Sequence, residues 1–264
     1  MALGMESSGF HLEFANEVSP MASNTFAHNL LNTDLNNPSK KVKWVHSRFG
    51  PDQYSLRLRE NLLNHEDGDY CDLNFSSNLK ELSGKLLVGD VRKLKEKLIK
   101  NEIRDPYKGQ LDLISGGPPC QSFSLAGKRE LNNYKNSLPL DYAEICEILN
   151  PKVVLLENVK GILSAFNVDG QKHFAWLEVA KAFAVRGFAP VCILVNSKYF
   201  GIAQNRPRYI MLAFRQDIFR KLLASFPENK ILLGTNKFMK KASSNVFSIE
   251  NGDFKYYDIE KETE

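Results

Sequence analysis

Short apolar runs rich in Val, Ile and Leu recur along the chain, separated by longer stretches of mixed polarity. Such runs are typical of strands that are buried on both faces of a sheet. They predict strands over residues 11–18, 85–90, 111–115, 152–157, 190–195 and 209–214. The stretches between them predict helices over residues 20–31, 91–100, 141–149, 174–185 and 216–225. This alternation predicts an α/β fold with a doubly wound, mostly parallel sheet.

Residues 32–83 interrupt the alternation of strands and helices. Loop-forming residue types cluster at positions 36–39 and again at 64–69. We therefore predict an insertion at 32–83, between the strands at 11–18 and 85–90, with some helix around residues 52–63.

The chain has 264 residues, of which 43% are hydrophobic, which fits one sizeable domain with a single core. It has no apolar run of the roughly 18 residues that a transmembrane helix needs. Its first residues lack the pattern of a cleavable export signal. These observations predict no membrane association and a cytoplasmic location, or a nuclear one in a eukaryote. The four cysteines show neither CxxC nor metal-ligand spacing, so we expect a reducing compartment and no metal site.

The formal net charge of +4 is modest and by itself does not indicate nucleic acid. Lysines cluster at residues 40–43 and 93–100, where solvated surface is the favoured interpretation. A third basic cluster, made of Lys128, Arg129 and Lys135, follows Cys120 closely. That position favours contact with a substrate phosphate.

One cysteine stands at the end of a predicted strand in a setting suited to chemistry. The apolar run 111–114 leads into Ser-Gly-Gly-Pro-Pro-Cys-Gln-Ser-Phe-Ser at residues 115–124. The two prolines restrict the backbone before Cys120, and the polar loop after it exposes the sulfur. Cys120 is therefore the first candidate for a nucleophile, and a buried, inert loop cysteine is the alternative.

Two further segments supply partners for such a nucleophile. The run 153–156 ends in Glu157-Asn158-Val159, and residues 199–203 lead into Gln204-Asn205-Arg206-Pro207-Arg208. With Pro119-Cys120-Gln121, these segments resemble, in the same order, the signatures of the C5-cytosine DNA methyltransferases. The resemblance extends from about residue 4 to about residue 214.

The resemblance implies the S-adenosylmethionine-dependent methyltransferase (Rossmann-like) fold and double-stranded DNA as the substrate. It implies that the Cys120 thiolate adds to carbon 6 of cytosine, which activates carbon 5. Glu157 would donate a proton to ring nitrogen 3, while Arg206 and Arg208 would hold the base carbonyl, Glu157 or a phosphate. The target base would have to be flipped out of the duplex. The remaining expected substrate contacts are Gln121, Ser124, Asn158 and Gln204.

The resemblance also implies positions for S-adenosylmethionine. Glu17, with Val18 beside it, would bind the ribose, and Asp90, with Val91, would accept from the adenine amino group. Pro119 and Leu138 would pack on the cofactor. Without the resemblance, an N-cap for the helix that begins at Val91 is the favoured interpretation of Asp90.

The chain also departs from the family pattern. No Asp-x-Phe-x-Gly-x-Gly segment occurs, so we expect these 264 residues to lack the family's first strand and glycine-rich cofactor loop. We expect residues 1–215 to be an incomplete catalytic domain, and residues 216–264 to begin the region that leads to target recognition. An isolated chain of this kind is expected to bind cofactor weakly and to methylate nothing.

Two alternatives to a DNA methyltransferase remain open from the sequence. The chain could be a non-catalytic fragment, or one subunit of a split enzyme whose recognition region comes from a second polypeptide. It could also act on cytosine in RNA. A nicotinamide-dependent oxidoreductase is disfavoured because the chain has no GxGxxG turn.

Overall fold

The computed structural model describes residues 1–35, 40–63, 70–73, 82–100, 105–119, 137–168 and 171–225, and the backbone of 245–250 and 253–258. Its helices are Ala2–Ser7 (α1), Pro20–Leu31 (α2), Tyr54–Arg57 (α3), Val91–Ile99 (α4), Leu138–Leu149 (α5), Ala175–Ala184 (α6) and Gln216–Ser225 (α7). Its strands are Phe14–Glu17 (β1), Val42–Trp44 (β2), Lys85–Val88 (β3), Leu113–Gly116 (β4), Val153–Val159 (β5), Ala165–Val168 (β6), Gln171–Phe174 (β7), Phe188–Asn196 (β8), Pro207–Arg215 (β9), Asn245–Glu250 (β10) and Asp253–Asp258 (β11). Short 3₁₀ turns lie at Pro51–Gln53, Lys160–Leu163 and Ser197–Phe200. The chain divides into two compact units, Met1–Tyr107 and Lys108–Glu264.

The first unit contains a three-stranded sheet in the order β1-β3-β2, with both pairs parallel. Helix α2 packs on this sheet. It begins at Pro20 because the Ser19 side chain caps it by accepting from the Ala22 amide, and because proline is favoured in the first turn of a helix. It ends at Asn32, which adopts the left-handed conformation of a helix C-cap. The buried side chains of this unit include Ala27, Leu35, Trp44, Leu86 and Val88.

The second unit contains a six-stranded sheet in the order β11-β10-β8-β9-β5-β4 and a separate β6–β7 hairpin. Strands β4 and β5 are parallel, and α5 lies between them in the chain. Strand β9 runs antiparallel to both of its neighbours, β5 and β8. The link from β8 to β9 carries only a 3₁₀ turn rather than a crossover helix, which is why the two strands pair antiparallel.

The core of the second unit lies between the sheet and helices α5 and α6. Trp176 and Phe183 on α6 pack with Phe188, Tyr209 and Met211 on the sheet. All five side chains are buried. Among the described helices, none is both long and apolar enough to cross a lipid bilayer.

The expected α/β fold is confirmed, with parallel pairs in both larger sheets, and the predicted strands and helices fall close to their predicted positions. The prediction of one sheet around a single core differs, because the described strands form a separate sheet in each unit, each with its own buried cluster. Strands β6, β7, β10 and β11 were not predicted. Helices α2 and α7 have the predicted bounds. The insertion differs, because its helix is limited to Tyr54–Arg57 and it contributes strand β2, which was not predicted. The division at residues 215 and 216 stays a prediction.

Candidate functional site

Strands β4 and β5 bring two of the predicted motifs to one edge of the sheet. The strands are parallel, and Gly116 at the end of β4 pairs with Leu156 near the end of β5. Parallel neighbours place their carboxyl ends together, where open α/β sheets bind ligands. The segment that follows β4 therefore starts beside Glu157 and Asn158, near the end of β5.

The Asn158 amide ties these two segments together. Its side chain is buried, and its Nδ2 donates to the Pro118 carbonyl oxygen at 2.9 Å. Its Oδ1 accepts from the Val159 amide at 2.9 Å. Asn158 thus holds the backbone two residues before Cys120. Its expected contact with substrate stays a prediction.

The Glu157 carboxyl group lies between the Arg208 guanidinium and the backbone of Gly117. Its Oε1 is 2.8 Å from Arg208 Nε, although this N–H does not point straight at the oxygen, so the contact is an ion pair rather than an aligned hydrogen bond. A Cβ atom placed on Gly117 would lie 3.4 Å from Glu157 Oε2. Gly117 therefore leaves room for the carboxyl group, where a larger residue would crowd it.

The two arginines of the third motif have different surroundings. Arg208, on β9, contacts Glu157, and its Nη1 donates to the Pro207 carbonyl oxygen at 2.9 Å. Arg206 precedes β9 and is exposed. The loop that carries it is held by Asn196, whose Oδ1 accepts from the Arg206 amide at 3.1 Å. Gln204, on the same loop, is also exposed.

Residues 199–202, which precede these two arginines in the chain, expose three large apolar side chains to solvent. Tyr199 is 76% exposed, Phe200 70% and Ile202 56%. The Lys198 ammonium lies 4.8 Å from the centre of the Tyr199 ring, in a cation–π contact. Sequence reasoning did not single out this surface, although its run of aromatic residues was the available signal.

The nucleophile itself and some of its predicted neighbours lie outside the described residues. These are Cys120, Gln121, Ser124, Lys128, Arg129 and Lys135. Pro119 is the last described residue before this gap and is exposed, and Leu138 is half-buried as the first residue of α5.

The described cysteines of the second unit are unsuited to nucleophilic chemistry. Cys146 and Cys192 are buried in the core. Burial raises the pKa of the Cys146 thiol well above its usual value and that of Cys192 to about 12. The Tyr209 hydroxyl donates to Cys192 Sγ at 3.1 Å. A thiol held protonated in this way is a poor nucleophile.

The two predicted cofactor carboxylates share one edge of the first sheet. Glu17 ends β1, Asp90 follows β3, and the Gly89 amide donates to the Glu17 carbonyl oxygen at 3.0 Å. Glu17 Oε1 accepts from the Ser19 amide at 2.9 Å. Val18, which follows Glu17 in the chain, is half-buried.

Asp90 is the N-cap of α4, as the residue pattern alone indicated. It accepts from the Arg92 amide at 2.9 Å and from Arg92 Nε at 3.0 Å, and Arg92 Nη2 forms an ion pair with it. Burial alone would raise the pKa of Asp90, but the hydrogen bonds from Arg92 outweigh burial and lower it. The adenine contact of Asp90 and Val91 stays a prediction.

His46 lies at the same edge and was missed from the sequence. It follows β2, is buried, and a Cβ atom placed on Gly89 would lie 3.0 Å from its Nδ1. Its Nε2 is 3.4 Å from the Leu62 carbonyl oxygen. Burial lowers the pKa of the imidazole. Because β2 has only three residues and two lysines precede it, no apolar run indicated that a strand would carry His46 to this edge.

Comparison with known proteins decides the family of this chain. Residues 62–263, more than half of the chain, match the model of the C-5 cytosine-specific DNA methylases. The chain belongs to this family. Glu17 and His46 precede the matched residues, whereas the β4–β5 edge and the Arg208 motif lie within them.

Members of the C-5 cytosine-specific DNA methylase family with similar sequences include two bacterial enzymes. The type II methyltransferase M.FnuDI of Fusobacterium nucleatum is 39% identical over 128 residues, which are 47% of this chain and 36% of the relative. The type II methyltransferase M.NgoPII of Neisseria gonorrhoeae is 34% identical over 157 residues, 59% of this chain and 42% of the relative. The matched regions thus span less than half the length of these relatives. A crystal structure of a Spodoptera frugiperda DNMT2 mutant aligns with a TM-score of 0.36 at 19% identity, over 76% of this chain and 49% of that one.

Proposed function

We propose that this chain carries the catalytic residues of an enzyme that transfers a methyl group from S-adenosylmethionine to carbon 5 of cytosine in DNA. The observation that supports this most directly is that the segment leading into Cys120 meets the Glu157 and Arg208 motifs at one edge of the second sheet. The Glu157–Arg208 pair lies against Gly117, and Asn158 holds Pro118, two residues before Cys120.

Cys120 is the proposed nucleophile. Its thiolate adds to carbon 6 of the cytosine ring, so that a sulfur–carbon bond forms and the ring electrons move towards nitrogen 3 and carbon 5. This covalent step turns an unreactive carbon into an enamine carbon. Asn158 contributes by fixing the backbone at Pro118, two residues before Cys120 in the chain.

Glu157 is the proposed proton donor to ring nitrogen 3. Its side chain is 35% exposed and therefore remains open to a base that enters from solvent. Arg208 orients the carboxyl group through their contact, and the exposed Arg206 is free to meet the base carbonyl or a phosphate. A duplex base reaches this edge only when it is flipped out of its stack.

S-adenosylmethionine would supply the electrophilic methyl group. The first sheet offers a carboxylate suited to its ribose hydroxyls, since only one oxygen of Glu17 accepts a hydrogen bond in the described structure. Asp90 suits an adenine amino group chemically, but Arg92 occupies both of its oxygens. Adenine binding therefore requires the partly exposed Arg92 side chain to turn away.

Trapping on 5-fluorocytosine DNA tests this function, because fluorine blocks release of the enzyme after methyl transfer. With S-adenosylmethionine present, we expect an enzyme that combines this chain with the glycine-rich cofactor loop to form a denaturant-resistant adduct whose peptide map places the link at Cys120. The variant Cys120→Ser should form no adduct, while Cys71→Ser, which alters an exposed cysteine, should form as much as the wild type. No adduct with the wild type would favour the non-catalytic alternative, and an adduct that survives Cys120→Ser would overturn the assignment.

A further inference from the structure

The insertion forms a pocket that has no part in the proposed reaction. It has a volume of about 360 Å³ and lies in the first unit, between β2 and the segment that contains α3. Six of the residues around it carry polar or charged side chains: Lys40, Lys43, Trp44, Tyr54, Arg57 and Asp72.

Positive charge dominates this pocket. Lys40 and Lys43 line it. Lys41 does not line it, and its Nζ donates to the Leu31 carbonyl oxygen at 2.8 Å. The sequence alone favoured a solvated surface for all three lysines, and the structure instead separates Lys41 from the other two. Arg57 adds a third cation, of which only 1% is exposed.

The one acidic side chain that lines the pocket is already neutralised. Asp72 accepts from Arg57 Nη1 at 3.0 and 2.8 Å through its two oxygens. It also accepts from the Trp44 amide at 3.2 Å. With Asp72 and Arg57 paired, the charges of Lys40 and Lys43 remain, so the pocket favours an anion.

Three buried donors around this pocket lack an aligned acceptor among the described residues. They are Trp44 Nε1, Tyr54 Oη and Arg57 Nη2. Burial raises the pKa of Tyr54 to about 12, so its hydroxyl keeps its proton. Trp44 Nε1 lies beside the Tyr54 oxygen without completing an aligned hydrogen bond. Buried donors without acceptors are unfavourable, and a ligand that brings only acceptor oxygens would relieve this.

A phosphodiester fits this combination of charge and hydrogen-bond donors. It carries one negative charge and acceptor oxygens, and it has no donor that would compete for Asp72. Such contacts hold a duplex in position without reading its sequence.

We propose that this pocket binds a backbone phosphate of the DNA duplex on which the enzyme acts. This inference rests on the proposed function, because it requires DNA to be the substrate. It assigns the insertion a role in holding the duplex, through the Lys40 and Lys43 ammonium groups, with Arg57 behind them.

Lysine acetylation of the wild-type chain tests the contact without altering the fold. A duplex should protect Lys40 and Lys43 from the reagent, read by mass spectrometry, and should leave Lys100 unchanged, because Lys100 is exposed at the end of α4 and does not line the pocket. Equal labelling of Lys40 and Lys43 with and without duplex would overturn the proposal. Protection by inorganic phosphate or a mononucleotide, but not by duplex, would assign the pocket to a free anion and overturn it as well.

The salt dependence of duplex binding gives a second test of the phosphate contact. The double variant Lys40→Gln/Lys43→Gln should reduce the slope of log affinity against log salt by about one, the amount expected for one lost phosphate contact. The control Lys97→Gln/Lys100→Gln removes the same charge from the same unit and should leave the slope unchanged. Equal slopes in both double variants would contradict the pocket. If the slopes differ but no Cys120 adduct forms, the proposed reaction fails and the phosphate contact stands.

Discussion

The carboxyl group of Glu157 is the side chain on which the proposed chemistry depends most, after the thiol. Glu157→Gln keeps its size and its place beside Gly117 but removes the acid. In an enzyme that combines this chain with the glycine-rich cofactor loop, we expect kcat for methyl transfer to fall by about 10²–10⁴-fold, the usual contribution of a general acid, while duplex affinity changes little. Steady-state methylation assays measure this. The control Glu178→Gln alters a surface glutamate of α6 and should retain full kcat, and an unimpaired Glu157→Gln would exclude Glu157 as the donor.

His46 makes the stability of the first unit depend on pH. Burial lowers the pKa of His46, with Asp90 and Glu60 opposing the shift and Lys93 adding to it. The unfolded chain, whose imidazole titrates near pH 6.5, therefore binds a proton more readily than the folded protein. Stability that is present above about pH 6.5 is lost as the pH falls towards the lower folded pKa.

Replacing His46 should remove this pH dependence. We expect the urea midpoint of the wild type to fall between about pH 7.5 and about pH 5.5, and that of His46→Asn to fall less. With Trp176 of the second unit replaced by Phe in every variant, the fluorescence of Trp44, in the core of the first unit, reports the transition. The control His11→Asn, at an exposed position, should behave as the wild type. An identical pH response in His46→Asn would show that another group is responsible.

Tyr142 links two elements at the proposed catalytic edge. Its hydroxyl lies 3.2 Å from the Ile114 carbonyl oxygen on β4 and 3.1 Å from the Leu155 carbonyl oxygen on β5, and the two oxygens share its single hydrogen. A Cβ atom placed on Gly116 would lie 2.9 Å from its ring, so Gly116 is needed for the helix α5 to approach so closely.

Removing the Tyr142 hydroxyl should weaken the join between β4 and β5. Tyr142→Phe should lower the free energy of unfolding by about 0.5–1.5 kcal/mol, the usual net value of one hydrogen bond. Chemical denaturation followed by circular dichroism measures the change. Tyr199→Phe removes a hydroxyl from a side chain that is 76% exposed and should be neutral. If the two variants are equally stable, the hydroxyl bond contributes nothing.

At the scale of elements, local signals explain which predictions succeeded. Helix α2 has its predicted bounds, and local residues define both ends: Ser19 and Pro20 at its start and Asn32 at its end. Strand β2 was not predicted, because its three residues form a strand only through pairing with β3. Pairing of this kind depends on distant residues and leaves little pattern in a short segment.

At the scale of the whole molecule, motifs at strand ends indicated which residues meet at a sheet edge. The meeting of Glu157 with Arg208 follows from two motifs, each at one end of a strand. The ion pair of Asp90 with Arg92 and the hydrogen bond from Asn158 to Pro118 depend on side-chain geometry. The spacing of residues in the sequence does not specify that geometry. The insertion pocket is of the same kind, because it needs β2 and α3 to be packed before its donors come together.

The two buried thiols of the second unit provide a built-in chemical reporter of its unfolding. Cys146 and Cys192 both lie in the core of this unit, whereas Cys71, the cysteine of the first unit, is exposed. An alkylating reagent should therefore modify Cys71 at once, and Cys146 and Cys192 only when the second unit opens. Pulsed alkylation along a denaturant series, read peptide by peptide, then yields the opening free energy of the second unit separately from that of the first. Modification of all three at the same early rate would mean that this core opens freely under native conditions.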